Sequence, residues 1–464
     1  MIWYNYYMYL HSVLKEAAAL FIARGREVCL VGGAVRDMIR GKKSHDWDLA
    51  TDAPPEEVAD IFRKAHPRGS VIPTGIKHGT VTVLYREQSM EITTYRTEAG
   101  YTDGRRPDQV HYAASIEEDL SRRDFTVNAI ALRLPHGDKV DPFGGEADIK
   151  AGIIRCVGNP AERFAEDGLR PLRAVRFAAQ LLWDIEPGTL AAIPGSLDIC
   201  KKVSAERVRD ELVSILASGK PSRAFLLMEQ TGLLRLFLPE LAACRGIDQK
   251  GYHRFDVLEH SLLACDYAAE KQYSQDVRIA ALLHDIGKPL TRQLDTSGIW
   301  TFYQHETESV KLAKNILGRL RFPNALIDSV CHLVKEHMFH YTDEWSDAAV
   351  RRFIVRVGED SLTKLYQLRL ADSYATAMIE PPPDYLLPLT HRVEKSLGEK
   401  NAFSLKDLAI SGKDLIAMGV KPGKSIGLIL NELLETVLDD PEQNTREILL
   451  KIAGKFHEKI TLVD

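Results

Sequence analysis

Cysteine is scarce in this chain, and its placement excludes two kinds of cross-linked protein. Only six cysteines occur among 464 residues, and they are widely separated with no C-x-x-C pair. A disulfide-stapled domain carries a denser framework, and a structural zinc site needs paired ligands at short spacing. We therefore predict six reduced thiols.

Long apolar stretches are absent as well. No run of about 18 uncharged apolar residues occurs, although a membrane-spanning helix requires one of about that length. The segment from Met1 to Tyr6 lacks the basic region and the small-residue cleavage site of a secretory signal. We expect a soluble cytoplasmic protein with no membrane partner.

The chain also lacks an excess of basic residues. Its 45% apolar and 27% charged residues are typical of a globular protein and exclude a disordered one. Because the net charge is −5, a nucleic-acid partner must be held by a local basic patch. Residues 150–223 provide a candidate, with twelve lysines and arginines against nine acidic residues.

The length predicts several domains, since 464 residues is about three times a typical domain of ~150 residues. Short β-rich runs alternate with helical patterns in the first third, and helical periodicity dominates from about Phe164 onward. The predicted fold class is α+β, with a mixed α/β head followed by an all-α neck, body and tail. We place these parts at 1–155 (head), 156–230 (neck), 231–390 (body) and 391–464 (tail).

Two carboxylates in a short strand indicate a metal site in the head. Asp46 and Asp48 are two residues apart, so on a strand both side chains point to the same side. Paired oxygen ligands suit Mg²⁺, which keeps waters and accepts substrate phosphates. By itself the pair is more typical of a solvated edge strand.

A glycine turn just upstream favours the metal interpretation. Gly32 and Gly33 precede a short helical pattern that contains Arg36, and such a turn lets the backbone approach a phosphate. The combined pattern, Leu30 to Asp37 with Asp46-x-Asp48, resembles the class II tRNA nucleotidyltransferase and bacterial poly(A) polymerase family. Further segments match the same family in order: 73–80, 122–129, 141–145 and 163–177.

The resemblance implies a polymerase-β-like head and assigns roles to individual residues. Gly33 and Arg36 would bind the nucleotide, Arg123 its triphosphate and Asp124 its sugar, although Asp124 is also compatible with a helix or turn cap. Arg173 and Arg176 would support the nucleotide phosphates or the base. Glu91, on a predicted neighbouring strand, is our candidate for a third metal carboxylate.

Asp167 and Arg170 are the predicted base-selecting residues. Three positions apart, they would lie on one face of a helix that begins at about Glu166 to Gly168. Cytosine and adenine each present an amine donor beside a ring-nitrogen acceptor, which a carboxylate and a guanidinium complement, whereas guanine and uracil have the opposite order. The alternative is an exposed ion pair between the two residues.

The body resembles a second family, the HD phosphohydrolases. The segment Leu282 to Lys288 contains the adjacent pair His284 and Asp285. Imidazoles with carboxylates suit a divalent Mn, Ni, Co or Zn ion whose bound water attacks a phosphoester. The alternative is an inactive scaffold. The predicted ligands of this hypothetical metal are His260, His284, Asp285, His305, His337 and Asp372.

The leading functional hypothesis is a template-independent tRNA nucleotidyltransferase that builds or repairs the 3′-terminal CCA from CTP and ATP with Mg²⁺. Its partners would be tRNA, CTP and ATP, and by the resemblance the tail would hold tRNA phosphates at Lys421 and Lys424. An A-adding enzyme is the main alternative. A CC-adding enzyme is disfavoured by the loop 95–106, and a poly(A) polymerase by the segment 73–78. A stand-alone phosphohydrolase is the hypothesis from another class.

Overall fold

The computed structural model describes residues 12–43, 47–65, 70–72, 79–99, 109–249, 254–399 and 402–461. Asp46 therefore lies outside the described residues, as do the segment 73–78 and most of the loop 95–106. The predictions that rest on these positions stay predictions.

The chain forms two compact units. The first extends to Ala242 and includes Arg319–Arg321, and the second contains Ala243–Gly318 and Phe322–Asp464. The finer division into head, neck, body and tail stays a prediction.

The first unit contains a mixed seven-stranded sheet in the order β3-β4-β5-β2-β1-β8-β9. Its strands are β1 (Val28–Val31), β2 (Trp47–Thr51), β3 (Ser70–Ile72), β4 (Thr80–Tyr85), β5 (Gln88–Thr94), β8 (Ala131–Arg133) and β9 (Asp138–Val140). Strands β2 and β5 are parallel, and the other neighbours are antiparallel. Two-stranded sheets are formed by β6 (Arg96–Ala99) with β7 (Gln109–Tyr112) and by β10 (Ile153–Ile154) with β11 (Asp184–Ile185).

The central strands contribute buried apolar residues to the core. All four residues of β1 are buried, whereas in β5 Met90 and Ile92 are buried and Glu91 between them is exposed. This alternation directs Glu91 to the face of the sheet opposite the core. Strand β5 also pairs with β4 in antiparallel register, from Thr80 opposite Thr93 to Tyr85 opposite Gln88.

Short helices account for most of the remainder of this unit. They are α1 (Ser12–Ile22), α2 (Gly33–Ile39), α3 (Pro55–Ala65), α4 (Ile116–Ser121), α5 (Gly145–Ala151), α6 (Pro160–Glu166), α7 (Arg170–Leu181), α8 (Pro187–Ala192), α9 (Leu197–Cys200), α10 (Ala205–Leu216), α11 (Pro221–Thr231), α12 (Leu233–Phe237) and α13 (Pro239–Ala242). Thr126–Asn128 and Pro194–Ser196 form 3-10 turns.

The segment Asp141–Gly145 has a structural role. The Asp141 carboxylate accepts hydrogen bonds from the backbone N–H groups of Gly145 and Glu146, at 2.7 and 3.0 Å, and so caps α5. A Cβ atom at Gly145 would lie 2.1 Å from the Thr126 carbonyl oxygen. Glycine therefore allows α5 to pack directly against the 3-10 turn that contains Asn128.

The second unit is helical, apart from the hairpin β12 (Gln293–Leu294) and β13 (Trp300–Thr301). Its helices are α14 (Val257–Glu270), α15 (Gln275–Leu283), α16 (Lys288–Thr291), α17 (His305–Arg319), α18 (Asn324–Glu336), α19 (Asp347–Val357), α20 (Glu359–Ala377), α21 (Leu387–Gly398), α22 (Gly412–Ala417), α23 (Lys424–Asp439) and α24 (Arg446–Thr461). Leu405–Asp407 and Pro441–Gln443 form 3-10 turns. Apolar residues of α22, α23 and α24, among them Leu415, Leu433 and Leu449, form one buried cluster.

Two predictions from the sequence concern the state of the cysteines and the fold class. All six cysteines are free thiols, and the predicted α+β class is confirmed. Within the described ranges, no helix combines the length and apolarity needed to cross a membrane.

The close approach at Gly145 predicts a stability effect. Gly145→Ala should lower the free energy of unfolding by about 1–3 kcal/mol, because the new methyl group forces the backbone of α5 away from Thr126. The control is Gly219→Ala, where an added Cβ has no atom within 4 Å. Urea denaturation of both variants measures the effect, and equal stabilities would contradict it.

Candidate active site and a second candidate metal centre

Two of the predicted metal carboxylates, Asp48 and Glu91, lie on the two parallel strands. Asp48 of β2 is in register with Glu91 of β5. Neighbouring residues in register have side chains on the same face of a sheet, so the two carboxylates are adjacent. Both line a cavity of about 620 Å³. The first unit therefore presents paired oxygen ligands to one cavity.

Gly32 brings the backbone close to the same carboxylate. Its φ of +72° is in the left-handed region that favours glycine. A Cβ atom here would lie 3.2 Å from a terminal nitrogen of Arg123 and 3.4 Å from Asp48 Oδ2. Arg123 is oriented by Asp119, whose fully buried carboxylate also holds Arg122, at 3.3 and 2.8 Å respectively. The arginine predicted to contact the triphosphate thus lies beside the predicted metal ligand.

A polar chain continues from Arg36 to Asp124. One terminal nitrogen of Arg36 donates to Asn128 Oδ1 at 3.0 Å, and the Asn128 amide donates to Asp124 Oδ1 at 3.3 Å. Asp124 Oδ2 accepts from Arg173 at 2.8 Å. Burial raises the pKa of the Asp124 carboxyl, but Arg173 outweighs it and the pKa falls to about 2. Asp124 is therefore ionised and held by protein partners, while its predicted contact with the sugar stays a prediction.

The predicted helical spacing of Asp167 and Arg170 is wrong. Helix α6 ends at Glu166 and α7 begins at Arg170, so Asp167 lies between them with extended backbone, φ −141° and ψ 110°. Pro171 favours a helix start here, and the Asp167 carboxylate accepts the Leu169 N–H at 3.0 Å. Both predicted base-selecting residues nevertheless line the same cavity.

Arg170 is fixed by acceptors on several sides. Its guanidinium donates to Glu166 and to the carbonyl oxygens of Arg163 and Arg122, the latter two at 3.1 and 3.0 Å. It is 8% exposed. A guanidinium with this many fixed partners presents its remaining N–H groups in one direction.

Helix α10 supplies two residues that the sequence analysis did not identify as site residues. Arg207 holds both oxygens of Asp167, at 3.2 and 2.7 Å. Glu211, one helical turn later, holds Arg176 and lies 3.6 Å from Arg173. Their i,i+4 spacing on an amphipathic helix was the available signal, but their partners depend on the tertiary fold.

The cavity contains most of the predicted nucleotide-binding residues. Arg176 is not among its lining residues, and its guanidinium instead lies 4.0 Å from the centre of the Phe177 ring. The predicted residues that line the cavity are Gly33, Arg36, Asp48, Glu91, Arg123, Asp124, Asp167, Arg170 and Arg173.

The second unit gathers the six predicted histidine and aspartate ligands into one cluster. His260 Nε2 lies 3.1 Å from His284 Nε2 and 3.1 Å from Asp372 Oδ1. Asp285 Oδ1 lies 3.1 Å from His305 Nε2 and 3.8 Å from His337 Nε2. The four histidines and Asp285 are buried. Asp285 belongs to both three-residue ligand groups, one with His260 and His284 and the other with His305 and His337.

The orientation of the imidazoles matches a metal site. His305 and His337 donate their Nδ1–H groups to the carbonyl oxygens of Phe302 and Val334, at 2.8 and 2.7 Å. In neutral imidazoles both Nε2 atoms are then acceptors, yet they lie 3.3 Å apart. Two facing acceptors require a proton or a metal ion between them.

The charges in the cluster also favour a bound cation. Burial lowers the pKa of His284, but Asp285 and Asp372 outweigh it and raise that pKa to about 10. Burial lowers the pKa of His337 to about 3. The two carboxylates therefore favour positive charge on His284, whereas burial and the neighbouring His284 keep His337 a neutral imidazole.

Two neighbours of Asp285 complete this centre. Lys288 Nζ, 7% exposed as a residue, lies 2.6 Å from Asp285 Oδ2 and 2.6 Å from Gln249 Oε1. A Cβ atom at Gly287 would lie 2.4 Å from the His305 carbonyl oxygen. Glycine at this position thus lets the start of α17 approach Asp285. Lys288 was present in the predicted motif but was not assigned a role.

Comparisons of sequence with known families agree with this arrangement. Residues 28–155 match the poly A polymerase head domain, and residues 184–245 match a family described as the probable RNA and SrmB-binding site of polymerase A. Residues 293–453 match a family described as tRNA nucleotidyltransferase domain 2, putative. Together these matches cover parts of both units.

Individual relatives give a consistent result. The CCA-adding enzyme of Levilactobacillus brevis is 34% identical over 92% of this chain and 93% of its own length, and that of Enterococcus faecalis is 33% identical over 96% and 97%. The structure of the Bacillus stearothermophilus CCA-adding enzyme in complex with CTP is 26% identical, with a TM-score of 0.71 over 96% of this chain and 97% of that one. The chain therefore belongs to the CCA-adding enzyme family of tRNA nucleotidyltransferases.

Proposed function

We propose that this chain adds or repairs the 3′-terminal CCA of tRNA in the cytoplasm, using CTP and ATP and releasing pyrophosphate. The observation that carries the proposal is the shared cavity. Asp48 and Glu91 lie in register at one wall, and Asp167 and Arg170 line the same cavity. A reacting phosphate and a selected base can thus be bound together.

The donor atoms at the strands fit Mg²⁺, a cation that prefers carboxylate oxygens. Asp48 and Glu91, with Asp46 from the sequence prediction, would hold it. When bound, Mg²⁺ polarises the primer hydroxyl and neutralises charge on the leaving pyrophosphate. Arg123, next to Asp48, binds the triphosphate and orients it toward the acceptor end of the tRNA.

Base selection follows from the hydrogen-bond capacity of Asp167. An ionised carboxylate accepts but does not donate. Asp167 Oδ1 already accepts from Leu169 and Arg207, whereas Oδ2 accepts from Arg207. The remaining capacity of Oδ2 can accept the exocyclic amine of cytosine or adenine, and the carbonyl groups of guanine and uracil offer it no donor.

An A-adding enzyme and a poly(A) polymerase remain the alternatives with the same chemistry. Both would use the same carboxylates, so the product on defined tRNA ends distinguishes them. Addition of C and then A supports CCA synthesis. Addition of A alone to tRNA that already ends in CC supports an A-adding enzyme, and long A tracts support a poly(A) polymerase.

We expect Asp48→Asn to lower the rate of nucleotide addition by about 1,000-fold, because the loss of a metal ligand removes several kcal/mol of transition-state stabilisation. The measurement is single-nucleotide incorporation into tRNAs that lack CCA, CA or A, with each labelled NTP separately. Asp138→Asn, an exposed carboxylate of the same sheet, is the matched control. Comparable rates for the two variants would contradict the assignment.

We expect Arg207→Ala to reduce the preference for CTP over UTP by about tenfold. The variant loses the two hydrogen bonds that orient Asp167, and a mispaired buried polar group costs ~1–3 kcal/mol. The ratio of kcat/KM values for the two nucleotides measures the effect. Arg209→Ala is the control, because Arg209 pairs with Asp210 on the same helix. An unchanged ratio in Arg207→Ala would show that Arg207 does not set base choice.

A second activity is favoured by the buried histidine cluster. We propose that the two ligand groups sharing Asp285 hold a pair of divalent transition-metal ions such as Mn, Ni, Co or Zn, for which imidazole with carboxylate is a suitable ligand set. When bound, such ions activate water for attack on a phosphoester. Lys288, beside Asp285, places a cation where a substrate phosphate can be held.

The metal proposal predicts a change in metal content. Wild-type protein dialysed against Mn²⁺ should retain about two ions per chain by elemental analysis, and His284→Ala should lose at least one of them because a buried ligand is removed. His391→Ala, at an exposed histidine, is the control. Nucleotide addition should persist in His284→Ala, and its loss in a folded variant would contradict two independent sites.

A further inference from the structure

One aromatic ring at the cavity of the first unit is surrounded by arginines. Phe177 of α7 lines this cavity and is 6% exposed. The guanidinium carbons of Arg36, Arg173 and Arg176 lie 5.5, 5.4 and 4.0 Å from the centre of its ring. These distances fall within the range of about 6 Å over which a cation is attracted to an aromatic face. Three cations therefore share one neutral partner.

The ring itself is oriented by the core. The fully buried Phe125 ring lies 5.7 Å from the Phe177 ring, centre to centre, at an interplanar angle of 84°. An edge-to-face contact of this kind is a preferred geometry of aromatic pairs. Phe125 directly follows Asp124, the carboxylate that accepts from Arg173. The packing of the two rings thus holds Phe177 beside the ion pair of its own helix.

The same ring contacts the arginines at both ends of the polar chain in the cavity. At one end Arg36 donates to Asp37 and Asn128, at 3.0 to 3.1 Å. At the other end Arg173 donates to Asp124 at 2.8 Å. A guanidinium has more N–H donors than these bonds use, and the attraction to a ring occupies none of them. The remaining donors stay available for an anion in the cavity.

The ring also offsets repulsion between neighbouring arginines. Burial lowers the pKa of the Arg176 guanidinium, and Arg173 lowers it further, although Glu211 opposes both effects. The two cations therefore repel each other. The face of an aromatic ring is negative, so Phe177 attracts both of them. Leucine at this position would fill similar space without attracting either cation.

We propose that Phe177 is a positioning residue for the triphosphate of the incoming nucleotide. Its ring holds the guanidinium groups of Arg36 and Arg173 in the cavity with N–H donors left for the phosphates. The inference rests on the proposed function and adds a residue that determines nucleotide affinity without choosing the base. Base choice stays separate because Asp167 and Arg170 are held by other partners.

The test changes the charge of the ring face and keeps its size nearly constant. Phe177 is replaced, through an amber codon in the full-length chain, by mono-, di- and trifluorophenylalanine. Each fluorine withdraws electron density from the ring face that attracts the cations. The matched control is the same series at Phe225, a fully buried residue of α11 that is not among those lining the cavity. Phe177→Leu completes the set.

Two measurements are made on each protein. Calorimetric titration with CTP and Mg²⁺ in the absence of tRNA gives Kd without turnover. Nucleotide addition to tRNA that lacks CCA gives KM for CTP and ATP, together with the preference for CTP over UTP.

We expect Kd and KM to rise step by step with each fluorine at Phe177. The increase should reach about tenfold in the trifluoro protein and in Phe177→Leu, because the lost cation–π attraction leaves the arginines less ordered. CTP and ATP should be affected by the same factor, and the preference for CTP over UTP should not change. The series at Phe225 should leave all of these quantities at their wild-type values.

A flat series at Phe177 would overturn the inference whatever the affinity of Phe177→Leu, because the ring would then only fill space. A changed preference for CTP over UTP along the series would also overturn it, as would equal changes at Phe177 and Phe225. Wild-type protein that binds CTP but adds no nucleotide to tRNA would overturn the proposed function alone, since the Kd series still measures the effect of the ring.

Discussion

The cavity of the first unit depends on buried carboxylates that are each held by arginine. Removing an ionised carboxylate from water costs several kcal/mol, so Asp119, Asp124 and Glu211 exist in this interior only because guanidinium groups contact them. Each carboxylate in turn fixes the orientation of the arginine that it pairs with. The lowered pKa of Asp124 shows that its arginine partner outweighs the cost of burial. The charged groups of such a cavity are already ordered before a ligand binds, so binding does not have to order them.

If Asp167 and Arg170 select the base as proposed, this preorganisation explains how a protein surface can replace a nucleic-acid template. Watson–Crick pairing discriminates because donors and acceptors are held at fixed positions, and a flexible side chain would accept several bases. Asp167 is fixed by the Leu169 N–H and by both arms of Arg207, and Arg170 by three acceptors. Helix α10 thus acts through Asp167 and does not itself line the cavity. Selectivity then depends on which hydrogen-bonding positions are left over once the protein contacts are made.

Much of this arrangement could be predicted from the sequence, and the exceptions have physical causes. The strands, the adjacency of Asp48 and Glu91, and the histidine cluster follow from local patterns and short motifs. The helical placement of Asp167 was wrong because three-residue spacing is compatible with a helix but does not require one. Here the Asp167 carboxylate accepts the Leu169 N–H, which stabilises an extended backbone. Gly168 also allows a close approach to the Ile199 carbonyl oxygen, which would lie 2.5 Å from an added Cβ. Arg207 and Glu211 were missed because their partners are about 40 and 35 residues away in the chain, and such pairings are fixed only by the packing of α7 against α10.

The two candidate metal sites differ in ligand chemistry, and this difference allows one chain to hold both. Oxygen-only ligands such as Asp48 and Glu91 bind first-row transition metals weakly compared with imidazoles and suit the abundant hard cation Mg²⁺. The cluster around Asp285 has four imidazoles whose Nε2 atoms converge, which Mg²⁺ does not favour. On the proposed assignments, each site would select its metal from the same cellular mixture by donor type. A metal ion in the histidine cluster would also relieve the repulsion between the acceptor nitrogens of His305 and His337. Metal binding there would thus stabilise the interior of the second unit as well as supply chemistry.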